Sequence, residues 1–176
     1  MILFSQGTSI IVIFVTLLWI WSVLIKNVSI VDIFWGLGFV SVNMFYACMS
    51  GNLTAKKLLV FILVSIWGLR LAIYLAIRNS GKGEDFRYQE FRKNYGPKRY
   101  WWFSFFQTFL LQAVLIMIIS LPLLGINTSS SSGALNELDY LGILVWSIGF
   151  IFEAGGDYQL MRFKQNPKNK GKILDI

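Results

Sequence analysis

Residues 27–49 read NVSIVDIFWGLGFVSVNMFYACM, a nearly continuous apolar run with a single carboxylate, Asp32, about one turn inside it. From about Val28 to Met49 the run has the roughly 20 residues with which an α-helix crosses a bilayer core. Four other runs are of that size: about Thr8 to Ile25, Leu58 to Ile77, Trp101 to Leu124 and Leu138 to Met161. Pro122 and Gly125 are expected to end the fourth. The first is too long for the core of a signal peptide and lacks a basic start and a small-residue cleavage site. The expected fold is all-α, a polytopic integral membrane helical bundle of about five transmembrane helices. Residues 1–176 are expected to form a single membrane domain.

Composition leads to the same class. Hydrophobic residues make up 56% of the chain and charged residues only 14%, against about 25% charged in a soluble domain. The net charge of +7 flanks the apolar runs and forms no stripe between aromatics, so it signals topology and not a nucleic-acid partner. The chain has no histidine, which removes Ser/His/Asp triads, histidine general bases and His-rich zinc sites. A lone Cys48 makes no disulfide framework and no cysteine metal site, and no metal is expected.

Placing the segment from Arg78 to Arg99, Lys26 and the C-terminal tail in the cytoplasm leaves only Lys56 and Lys57 outside. The positive-inside rule then sets the N-terminus outside and the C-terminus in the cytoplasm. The Lys/Arg-free NTSSSSGALNEL, residues 127–138, becomes an outer flexible connector. Tyr100, Trp101 and Trp102 are expected at a membrane interface.

Charges inside the spans cost about 2.5 to 3.5 kcal/mol on a lipid face, so each is expected to face the bundle or a wet cavity. Asp32 and Arg70 are such charges, either pairing to staple two helices or lining a site. Glu153 and Asp157 lie four residues apart on one helical face, where like charges repel, and Gly155 and Gly156 between them add helix cost but allow close approach. In the expected topology all four charges fall in the cytoplasmic half of their helices, which predicts a polar cavity open to the cytoplasm. Gln112 either borders it or is an interhelical hydrogen-bond partner. The segment from Arg78 to Phe103 reads as an interfacial amphipathic connector. Its GKGEDFRY is no phosphate loop, since no strand precedes it. Lys82, Arg87, Arg92, Lys93 and the tail basics Lys164, Lys168, Lys170 and Lys172 share that side, where they suit an anionic cofactor; Arg70, Arg87 and Lys164 are the basic members of the candidate cofactor set.

Four blocks in order, NVSIVDIFWGLGF, WGLRLAIYLAIRNSGKGEDFRYQEFRKNYG, SFFQTFLLQ and GFIFEAGGDYQLMRFKQNPKNKGK, resemble the DUF1295 membrane proteins of the steroid 5-alpha-reductase superfamily. The resemblance implies a membrane reductase in which cytoplasmic NADPH gives hydride to the activated C=C bond of a lipid or sterol-like enone. It makes Asp157, with Glu153 one turn earlier, part of the cofactor site. The steroid branch polarises its substrate carbonyl with a glutamate and a tyrosine. Asp32 is the counterpart of that glutamate, and Tyr74 stands in for the tyrosine, near Trp67 and Leu69. In this family a Gly-Leu-Trp segment, an Arg-His-Pro-Asn-Tyr motif and further apolar helices follow the NKGK block, so a truncated or frameshifted member, inactive as it stands, is the expectation. Two other readings stay open: a lipid or isoprenylcysteine-type methyltransferase using S-adenosylmethionine, and a non-catalytic integral membrane protein whose buried charges only set helix pairing.

Overall fold

The computed structural model describes residues 2–129, 134–169 and 171–173. Among them every regular element is helical, and five helical stretches are long and apolar enough to cross a membrane. They are Ile2–Leu24 (α1), Ile30–Met49 (α2), Ala55–Asn79 (α3), the composite Pro97–Ile119 and Glu137–Gln165 (α8). The chain is thus an all-α multi-pass membrane protein. It divides into two compact units, Met1–Ala134 and Leu135–Ile176.

In the first unit α1 buries Gly7, Ile11, Val15, Leu18 and Ser22, a stripe at helical spacing. Its other faces leave Ile13, Leu17, Ile20 and Leu24 exposed, apolar side chains that suit lipid contact. Helix α2 is the central helix, packing on α3 most extensively and also on α1. Lipid tails are as apolar as leucine, so close packing must hold these helices together. At the α2–α3 crossing a Cβ on Gly36 would lie 2.7 Å from the Gly68 carbonyl oxygen, and one on Gly68 would lie 2.7 Å from the Gly36 oxygen. Only glycine lets the two backbones meet. Beside the crossing, Trp35, Phe39 and Trp67 pack edge to face with centroids 5.0–6.0 Å apart.

The third helix starts before the expected Leu58 because Thr54 caps it, its hydroxyl accepting from the Lys57 amide at 3.4 Å. The fourth span differs more. It is built from α5 (Pro97–Ser104), a π-helical turn (Phe105–Leu110) and α6 (Leu111–Ile119). Pro122 does not end it: the chain turns at Ser120, and Pro122 lies in the first turn of α7 (Leu121–Thr128), where a missing N–H costs nothing. Gly125 lies inside α7. Trp101 and Trp102 are partly exposed, as an interface requires, but Tyr100 is fully buried, with the Arg92 guanidinium 5.0 Å from its ring centroid. Of the expected Ser-rich connector, residues 130–133 lie outside the described residues, as does Lys170 of the basic tail.

The second unit is α8 with a short 3-10 turn, Pro167–Asn169. Asn136 and Asp139 form a capping box: the Asp139 amide donates to Asn136 Oδ1 at 3.1 Å and the Asn136 amide to Asp139 Oδ2 at 2.7 Å. Glu137 and Asp139 open the helix and Arg162 and Lys164 close it, each sign at the end its dipole favours.

Substituting Gly68→Ala should lower stability by about 1–3 kcal/mol, because the Gly36 backbone as well as the Val40 side chain must move. Gly125→Ala, whose Cβ meets nothing within 4 Å among the described residues, should be neutral or gain up to about 1 kcal/mol. Unfolding of both variants in detergent, followed by circular dichroism, checks the contrast.

Candidate functional site

The site is assembled where the turn between α1 and α2 meets the segment after α3. Asn27 holds the turn, its Oδ1 accepting from the Ser29 amide at 2.9 Å. Gly81 and Gly83, both at positive φ, reverse the chain after α3 and bring Glu84 and Asp85 back to it. The Val28 amide donates to Glu84 Oε1 at 2.9 Å, and the Asp85 amide donates to Ser29 Oγ at 2.6 Å. Arg92, on α4 (Phe86–Tyr95), grips the same Glu84 with a two-pronged pair: Nε to Oε2 at 3.0 Å and Nη2 to Oε1 at 2.9 Å. GKGEDFRY is therefore an acidic latch.

Asp32 is met from α4 as well. The Tyr88 hydroxyl donates to Asp32 Oδ1 at 2.8 Å and Arg87 Nη2 donates to Oδ2 at 2.9 Å. Arg87 also donates through Nε to Asp85 Oδ1 at 3.0 Å, while Asp85 caps α4 by accepting from the Arg87 amide at 3.0 Å. Burial pushes the Tyr88 phenol well up, and the neighbouring Asp32 charge adds to the effect. The hydrogen bond from Arg87 holds the Asp85 carboxyl below its ordinary range, and the same bond raises Arg87. Pairing with Glu84 likewise raises Arg92.

The structure brings together two of the expected site residues, Asp32 and Arg87. It does not make the anticipated Asp32–Arg70 pair. Asp32 sits in the first turn of α2, level with α4, whereas Arg70 lies eight residues, about 12 Å, before Arg78 in the last turn of α3. Arg70 and Tyr74 are half-buried one turn apart on α3, and the Arg78 guanidinium lies 5.7 Å from the Tyr74 ring centroid. In the second unit Glu153 and Lys164 are exposed and Asp157 is half-buried on α8. Reading the sequence missed Tyr88, Glu84 and Ser29. The EDFRY run did carry the signal, a helix-capping acid followed at once by an arginine and a tyrosine.

A cavity of about 570 Å³ opens beside the latch, lined by Ser22, Lys26, Arg92, Tyr100, Trp101 and Ser104 among others. With Arg92 already balanced by Glu84, Lys26 is the cation there left to meet an anion.

Removing Glu84 with Glu84→Ala strands both the Val28 amide and Arg92, and should cost about 2–3 kcal/mol. Hydrogen exchange at the Val28 amide should rise well above that of Asp32→Asn, whose partner Arg87 keeps Asp85 and is half exposed. Asp85, with its folded pKa depressed, contributes stability that is present above the ordinary carboxylate range and is lost as pH falls through and below it. An acid titration of thermal stability should flatten in Asp85→Asn.

No curated protein and no solved structure matches the chain. The family profile described as "Protein of unknown function (DUF1295)" matches residues 18–176, and the chain therefore belongs to the DUF1295 family.

Proposed function

We propose that the protein is an NADPH-dependent membrane reductase acting on the C=C bond of a lipid or sterol-like enone. The observation that carries this reading is the acid–phenol pair, Asp32 with Tyr88, set at the entry of a membrane span and joined to Arg87. The resemblance to the steroid 5-alpha-reductase superfamily implies a carboxylate and a tyrosine; this reading keeps Asp32 as the carboxylate and moves the tyrosine's role from Tyr74 on α3 to Tyr88 on α4.

The donor set of α8 suits a dinucleotide: the acids Glu153 and Asp157 for ribose hydroxyls, Arg162 and Lys164 within two further turns for phosphates. Arg87 is less apt, since two carboxylates already balance it. NADPH, when bound, supplies the hydride. The chain's own part is to polarise the enone. Tyr88, kept protonated by its burial, transfers its hydrogen bond from Asp32 to the substrate carbonyl oxygen, and Asp32 stays paired with Arg87. With the N-terminus outside, this face opens to the cytoplasm, where NADPH is available.

One feature of the latch favours a second, non-catalytic reading: its acids and bases satisfy one another. The two readings separate on the natural gene product. The reductase reading expects NADPH binding and enone reduction, with Tyr88→Phe lowering kcat/KM by about 10²-fold or more and Asp157→Ala weakening NADPH binding about tenfold or more. Binding of S-adenosylmethionine in place of NADPH would move the assignment to a methyltransferase. A stable wild-type protein that binds neither cofactor would leave the latch as a purely structural device.

A further inference from the structure

The opposite end of the first unit holds a buried cation. Lys57, in the first turn of α3, is only 5% exposed. Among the described residues its ammonium makes no hydrogen bond and no ion pair. It forms part of the wall of a cavity of about 410 Å³ whose other polar walls include Ser50, Asn52, Thr54 and Asn127, with no carboxylate among them. Asn127, 2% exposed, donates to Asn43 Oδ1 at 3.1 Å and to the Leu123 carbonyl at 2.8 Å; among the described residues its own Oδ1, like Asn43 Nδ2, has no partner. A largely buried lysine with no anion among the described residues and a buried carbonyl without a donor are both costly. The positive end of the α3 dipole adds to the pull on an anion.

A ligand that relieves both needs an anionic oxygen for Lys57 and a nearby hydroxyl or amine for Asn127. Leu3 and Thr128 are shared between this cavity and an apolar groove of about 560 Å³ lined also by Ile2, Phe4 and Leu124. The groove supplies a place for a hydrocarbon chain. We propose that this end of the first unit binds a membrane phospholipid, its phosphate on Lys57, a headgroup hydroxyl or amine on Asn127, and an acyl chain along Leu3, Phe4 and Leu124. The proposal is independent of the reductase reading, which concerns the other end of the helices.

The test uses the whole protein in detergent, with native mass spectrometry and thermal unfolding as readouts. Phosphatidylglycerol, with phosphate and hydroxyls, should be retained and should stabilise more than phosphatidylcholine, which lacks a donor. Lys57→Gln should weaken retention about tenfold or more, and Lys98→Gln, an exposed charge on α5, should leave it unchanged. Free glycerol phosphate should not reproduce the effect; equal stabilisation by it would overturn the lipid assignment in favour of a soluble anion. Equal retention of the two lipids by the wild type, or undiminished phosphatidylglycerol retention in Lys57→Gln, would overturn the site. If Lys57→Gln does not fold, the wild-type comparison of the two lipids decides alone.

Discussion

The Glu84 carboxylate carries the end of the first unit where α1, α2 and α4 meet. One oxygen takes the Val28 amide in the turn before α2 and both are held by Arg92 on α4. An amide in the turn just before a helix has no partner inside that helix, and at a membrane edge it cannot count on water. An acid brought in from seemingly unrelated sequence meets that need and places α4 under the entry to α2. Once α4 is there, Tyr88 and Arg87 reach Asp32 without further search. Asp85 adds the N-cap that makes so short a helix worth forming.

Two kinds of force therefore divide the first unit. Along the spans, where no hydrophobic drive separates helix from lipid, contact depends on shape: Gly36 against Gly68 and the aromatic set beside them. At the span ends, where low dielectric meets solvent, charge pairing with satisfied hydrogen bonds takes over. The Asp32 cluster and the buried Lys57 are the two ends of this arrangement. The first has its counter-charges within the chain. The second does not among the described residues, and that difference is what points outward to a ligand.

Run length and apolarity made the spans legible, because a helix must be about that long to cross a bilayer. Their ends were less so. Thr54 and Ser120 set boundaries through hydrogen bonds and turns that composition does not register, and Pro122, a helix breaker by rule, is an initiator once the chain turns before it. Spacing placed Glu153 and Asp157 on one face of α8, since the 3.6-residue period is local. The partner of Asp32 could not be found that way. Which charge reaches it depends on the reversal at Gly81 and Gly83, and positive φ at two glycines is invisible to charge counting.

The latch also limits what chemistry the region can support. Arg87 is held at 2.9 Å by Asp32 and at 3.0 Å by Asp85, so drawing it to a phosphate would leave two carboxylates facing each other with their shared cation gone. A site in which Arg87 stays put is therefore the self-consistent one. Its task is to hold Asp32, whose two carboxylate oxygens already accept from Tyr88 and Arg87. A carbonyl that takes the place of Asp32 at Tyr88 receives its hydrogen bond from a phenol whose raised pKa makes it a steady donor and a reluctant acid. Such a group stabilises developing negative charge on oxygen by hydrogen bonding more readily than by complete proton transfer. Protonation at carbon, if the reaction runs here, must then draw on another donor or on water.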